Sequence, residues 1–119
     1  MRVLVCGDRY WLNSKVIEDQ LRRFTGSQPD AHVIHGCANG ADTIGGNIAF
    51  RMGFEVHEFP AQWKVYGLAA GPIRNQRMLD EGRPDLVLAF HNDIANSKGT
   101  KDMIKRARKA GIPVEIITE

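Results

Sequence analysis

With 119 residues, 43% of them hydrophobic and 25% charged, the chain has the size and balance of one soluble globular domain with a core of its own. A net charge of +2 is too small to indicate a nucleic-acid binder by itself, and two cysteines argue against a disulfide-built scaffold. No secretory or membrane-spanning segment is visible, because Gly7-Asp8-Arg9 cuts short the apolar opening Val3-Leu4-Val5-Cys6, and a cytoplasmic location is expected.

Val3 to Cys6 reads as a first buried strand. Asn13 or Ser14 then caps a helix whose Ile17, Leu21 and Phe24 share one face. A polar turn over 26–30, with Pro29, leads to a second strand, Ala31 to His35, which runs into the loop Gly36-Cys37-Ala38-Asn39-Gly40-Ala41-Asp42. The second helix carries the stripe Ala41, Ile44, Ile48 and Met52. Its internal Gly45-Gly46 costs roughly 1 kcal/mol per glycine against alanine, a cost that close helix–strand or helix–helix packing would explain. Gly53 ends this helix, and Phe54 to Phe59 alternates as a strand at a sheet edge.

Pro60 to Ala70 is the longest irregular connection, and it holds Trp63, Lys64, Tyr66 and Gly67. Gly71-Pro72 opens a third helix, with Pro72 at the first helical position, and Gly82 closes it. Asp85 to Phe90 is apolar almost throughout and fits a strand buried on both faces. The polar loop His91 to Lys98 follows, and Gly99-Thr100 starts a helix running to Ala110. Met103, Ala107 and Ala110 face inward on it, while Lys101, Lys105, Arg106, Arg108 and Lys109 face mostly outward. Gly111 stops the helix, and Ile112 to Ile117 is the closing strand.

Strands alternate with helices and no hairpin signal appears. The expectation is therefore an α/β fold: a Rossmann-like three-layer sandwich with a five-stranded parallel sheet in the order 3-2-1-4-5, formed by residues 1–119 as one domain. Ligands of such sheets bind beyond the carboxyl ends of the strands, where the order reverses. Three loops fall on that edge: Gly7-Asp8-Arg9, His35 to Asp42, and His91 to Thr100. The last is a ready anion site, because a helix N-terminus offers unpaired N–H groups and about half a positive charge. Gly99 allows close approach there, Thr100 adds a hydroxyl, and Lys98 adds a mobile charge.

None of the loops matches G-x-G-x-x-G or a Walker P-loop, so a dinucleotide site or an NTPase is not expected. Trp63 and Tyr66 suit stacking on a base, or equally a core or a subunit interface. His35, Cys37, His57 and His91 include no local pair with zinc-motif spacing, so no metal is expected, and no cofactor. Cys6 and Cys37 read as small buried hydrophobes. The basic helix from Lys101 to Lys109 reads as a solvated face, with nucleic-acid contact as the weaker alternative.

His35-Gly36-Cys37-Ala38-Asn39-Gly40-Ala41-Asp42 resembles the G-G-A-x-G-A/I-D loop of the SLOG superfamily. Trp63, the run Ala70-Gly71-Pro72-Ile73-Arg74-Asn75-Gln76-Arg77-Met78-Leu79 and Gly82-Arg83-Pro84-Asp85-Leu86-Val87 look closer still to its small YspA-like, YpsA-related branch. Lys98 to Met103 and Ala110 to Val114 continue the resemblance over nearly the whole chain. For fold it implies a Rossmann-like sheet; for function it implies binding of a nucleotide or nucleotide-derived ligand, with a sensor as the expected role, by a chain that forms a homo-oligomer, a dimer in the first instance. Expected ligand contacts are Gly7, Arg9, Gly36, Gly40, Asp42, Arg74, Asn75, Lys98, Gly99 and Thr100.

The superfamily also includes phosphoribohydrolases that cut the base–ribose bond of nucleoside monophosphates, with an arginine in Arg-Lys-x-x-Met and a glutamate in Pro-Gly-Gly-x-Gly-Thr-x-x-Glu. Arg74 with Met78 matches the first pattern, with Asn75 in the lysine's place. Gly99-Thr100 matches the second, with Asp102 one position early and Met103 where the glutamate would stand. The alternative function is therefore an N-glycosidase in which Asp102 is the carboxylate, Asp42 the reserve, and Arg74 holds phosphate or ribose. Without such chemistry, Asp42 and Asp102 are helix-start acids that complement the dipole.

Overall fold

The computed structural model describes residues 1–26, 28 and 30–119. Its strands are β1 (Arg2–Gly7), β2 (His32–His35), β3 (Glu55–Glu58), β4 (Leu86–Phe90) and β5 (Val114–Ile117). They form one parallel sheet in the order β3-β2-β1-β4-β5, as the alternation of elements requires. β1 and β4, at the centre, are the most apolar strands because helices cover both of their faces. β3 lies at one edge, as its alternation implies, and β5 at the other.

Helices α1 (Ser14–Thr25) and α2 (Ala41–Arg51) cover one face, enclosing Val3, Val5, Val33, Leu88 and Phe90 with Ile17, Leu21 and Ile48. Helices α4 (Ala70–Asp80) and α5 (Gly99–Lys109) cover the other, over Leu4, Cys6, Ile34, Val87 and Ala89. The Asn13 side chain caps α1 by accepting the Val16 N–H at 3.2 Å, as read from the sequence. The polar turn expected over 26–30 includes Ser27 and Pro29, which lie outside the described residues.

The Gly45-Gly46 pair has a packing cause. A Cβ on Gly45 would stand 2.8 Å from Val5 Cγ1, and one on Gly46 would stand 2.5 Å from His35 Nε2, so α2 lies closer to β1 and β2 than any side chain there would allow. In α5 the expectation needs correction: Met103 and Ala107 are buried, but Ala110 is exposed past the helix end, and the inward position is taken by Ile104. The connection after β3 is also less irregular than expected. It contains a one-turn helix, α3 (Trp63–Tyr66), and a 3-10 turn over Gly67–Ala69 that leads into α4. Helix α4 thus begins at Ala70, and Pro72 is its third residue rather than its first, still within the turn where an N–H has no helical partner. Among the described residues, no helix is long and apolar enough to cross a membrane.

Candidate functional site

The carboxyl ends of β1, β2 and β4 bring the three expected loops together. Their backbones are tied to one another: Asp8 N–H donates to the Phe90 carbonyl at 2.9 Å, and the Asp8 carbonyl accepts Ala41 N–H and Trp11 N–H, each at 3.1 Å. Gly7 ends β1 beside Phe90. Gly40, at φ 73°, sits where a Cβ would run into the Asp8 and Arg9 backbone, so the first two loops fit together only with glycine there. The Asp8 carboxylate is turned back on its own loop, accepting Tyr10 N–H at 2.9 Å.

Asp42 organises the second loop. It is buried at the start of α2, and its Oδ2 accepts Gly36 N–H at 3.0 Å and Ala38 N–H at 3.5 Å. Burial pushes its pKa up from 3.8 to about 6, against the pull of the Arg74 guanidinium and of the two amides. His35, also buried, accepts Cys37 N–H on Nδ1 at 3.0 Å, which assigns its proton to Nε2. Its pKa is lowered, chiefly by burial, so the ring is neutral. Cys37 Sγ donates to Glu58 at 3.4 Å; burial and that carboxylate push its pKa up to about 11, which keeps the thiol protonated. Cys6 is buried and free, in keeping with its reading as a small hydrophobe.

Arg74 reaches across the crevice from α4. Its Nη1 donates to the Gly36 carbonyl at 2.5 Å, and its Nε donates to Asn75 Oδ1 at 3.0 Å. Gly36 is what admits it, since a Cβ there would overlap the guanidinium. The same side chain borders a groove of about 200 Å³ lined by Pro60, Gln62, Tyr66, Ala70, Ile73, Arg74 and Arg77. Of its two cations, Arg77 is paired with Glu81, its Nε donating to Oε2 at 2.8 Å, while Arg74 and the Tyr66 ring border the groove without a carboxylate partner among the described residues. The short helix α3, which carries Tyr66, is the part of this wall that periodicity did not reveal.

The α5 end of the crevice is more fully engaged than the sequence suggested. Thr100 is buried, its N–H donates to Ser97 Oγ at 3.1 Å, and Asp102 N–H donates to the Lys98 carbonyl at 3.0 Å. Lys98 and Gly99 are exposed, and a Cβ on Gly99 would meet open space. Asp102 Oδ2 accepts Arg106 Nε at 2.8 Å and Asn75 Nδ2 at 3.0 Å. Asn75, buried, also donates to the Gly99 carbonyl at 3.2 Å, so both of its amide hydrogens are committed. It is a connector that carries Arg74 on one side and the opening of α5 on the other. Arg106, expected on the outer face, folds back onto Asp102 and Gln76. Arg9 is exposed on the first loop.

A doubly covered parallel sheet, with its reversal point ringed by glycine-bearing loops, defines a Rossmann-like α/β domain. The family model for YspA, cpYpsA-related SLOG proteins (YAcAr) matches residues 1–66, from β1 to α3, and the chain belongs to that family. It is similar to the Gene 61 protein of Mycobacterium phage D29, with 38% identity over 121 residues that cover 95% of this chain and 93% of the phage protein. Among solved structures it is similar in fold to DNA processing protein A (DprA) from Streptococcus pneumoniae, at a TM-score of 0.72 and 18% identity. That match takes in 97% of this chain but 49% of the other, so the chain spans about half the length of that protein.

Proposed function

We propose that the chain binds a nucleotide or nucleotide-derived ligand at the carboxyl edge of its sheet, with Arg74 as the phosphate contact. The observation that carries this reading is Arg74 itself: a guanidinium held by the Gly36 carbonyl and Asn75, on the border of a groove that also presents Arg77 and Tyr66. A cation oriented before the ligand arrives loses little side-chain freedom on binding. Gly36, Gly40 and Asp42 shape the loop beneath it. Gly99 and Lys98 lie at the far side of the crevice, and Asn75 connects the two halves. Gly7, Arg9 and Thr100 belong to the same proposal as flanking contacts, and the ligand enters as a small molecule rather than as nucleic acid.

Hydrolysis of a nucleoside 5′-monophosphate draws less support from the geometry. The Asp102 carboxylate that would stabilise a ribosyl cation is shared between Arg106 and Asn75. Calorimetric titration with a panel of nucleoside monophosphates and ADP-ribose tests binding, and chromatography of the same mixtures for free base tests turnover. Arg74→Ala should weaken the best ligand by about tenfold to a hundredfold, the 1.5–3 kcal/mol of a hydrogen bond to a charged group. Binding that is indifferent to Arg74→Ala and Gly36→Val would overturn the assignment. Release of base by wild type that Asp102→Asn abolishes would move the protein to the enzyme class.

A further inference from the structure

Away from the crevice, the parallel register of β2 and β3 sets His32 opposite Glu55 and Ile34 opposite His57. His32, with Ile34, points to the α4/α5 face of the sheet, and alternation puts Glu55 and His57 on that same face. Glu55 and His57 stand two apart on β3, but His32 lies 25 positions from His57 on another strand, so the set has no zinc-motif spacing. In space they meet. His32 Nδ1 lies 3.0 Å from His57 Nε2 and 3.4 Å from Glu55 Oε2, and His57 Nε2 lies 3.9 Å from Glu55 Oε1.

We propose that His32, His57 and Glu55 form a binding site for a divalent transition-metal ion of the zinc type, at the open edge of the sheet. Zinc–ligand bonds of about 2.0–2.2 Å in tetrahedral geometry place ligand atoms roughly 3.3–3.5 Å apart. The two ring nitrogens, 3.0 Å apart, are slightly closer than that, and Glu55 brings Oε2 to 3.4 Å from His32 and Oε1 to 3.9 Å from His57, so a turn of this exposed side chain completes the set. Without an ion, one N–H between the two rings satisfies that pair and leaves Glu55 as the unmatched charge, whereas a cation that displaces this proton satisfies all three groups at once. Two imidazoles and a carboxylate are also the donor set that first-row divalent ions prefer to magnesium or calcium.

Glu55 is exposed and its side chain is free to close on an ion, while the two half-buried rings, with their nitrogens 3.0 Å apart, need only a small rotation to aim both at one point. Arg2 is the neighbouring cation that opposes a metal, but its Nε is tied to the Gly82 carbonyl at 2.7 Å, and Glu55 supplies compensating charge. Three protein ligands leave a fourth position for water or for a donor from elsewhere. An ion here would staple edge strand β3 to β2 at the amino end of the sheet, separate from the crevice at the carboxyl end.

Calorimetric titration of tag-free protein with Zn²⁺, and absorption spectroscopy with Co²⁺, test the site. The expected result is one ion per chain with the intense visible bands of low-coordinate Co²⁺. Paired His32→Ala and His57→Ala substitutions should weaken Zn²⁺ by more than tenfold, and Zn²⁺ should raise the melting temperature of wild type only. Glu55→Lys, at an exposed position, puts a positive charge where a ligand should be and should abolish binding while the chelator-treated protein melts as wild type does. Equal affinity in wild type and Glu55→Lys, no binding at all, or binding lost only on Cys37→Ser would each overturn the proposal.

Discussion

Asp42 is a carboxyl group placed where water barely reaches, 4% exposed, with two amides and a guanidinium as its compensation. Because its pKa rises from 3.8 to about 6, the folded protein keeps this proton between about pH 4 and 6, where the unfolded chain has lost it. The folded state then binds more protons, so this group's contribution to stability falls as pH rises through that window. The full effect is about 3 kcal/mol, from roughly two pKa units. Urea midpoints of wild type and Asp42→Asn across pH 4 to 7 should converge from a wild-type advantage at the acid end; parallel curves would refute the linkage. An anion drawn to Arg74 would raise the Asp42 pKa further, so ligand binding near pH 6 should take up a proton, visible as a buffer-dependent enthalpy. At this scale the sequence was legible where a residue has a local partner, as with the Asn13 cap. It was opaque where the partner is distant: Trp11 is buried against Phe90 with Nε1–H on the Asn13 carbonyl, yet it stands between exposed Tyr10 and Leu12 in a stretch with no periodicity.

Among the elements, α2 is the most tightly constrained, since its two glycines are what let it rest on β1 and β2. Gly46→Ala would gain helix propensity of about 1 kcal/mol but drive a methyl group into the buried His35 ring, so the net change should be destabilising by about 1–2 kcal/mol. Chemical denaturation measures it, and a stabilised variant would mean that α2 can lift away without cost. Helices of ten residues or so were readable because periodicity accumulates over several turns. Helix α3, at four residues, has no period to read, and its exposed Trp63 and Tyr66 gave only their ring chemistry. The end of α5 was misjudged for a related reason: Ala110 continues the inward spacing of Met103 and Ala107, but the helix stops before it.

For the molecule as a whole, strand order followed from alternation and handedness alone, whereas the site depends on which side chains bridge between elements. Arg74 to Gly36 spans 38 positions and Asn75 to Asp102 spans 27, separations that no window of sequence encodes. Self-association belongs to the same scale. Trp63, Val65, Tyr66 and Leu68 are all exposed, Leu68 to 95%, along one segment beside the groove. Exposed apolar groups concentrated in this way favour contact with a second copy. Sedimentation of wild type should show a dimer that Leu68→Asp dissociates; a monomer at all concentrations would remove this expectation.

The two outer strands also restrict how copies can meet. Glu55 and Glu58 stand on β3 and Glu115 on β5, all exposed. Two molecules brought rim to rim would confront carboxylates with carboxylates across backbones that must first give up their water. Fusion into a continuous ten-stranded sheet is thereby disfavoured, which leaves association between copies to the helical surfaces.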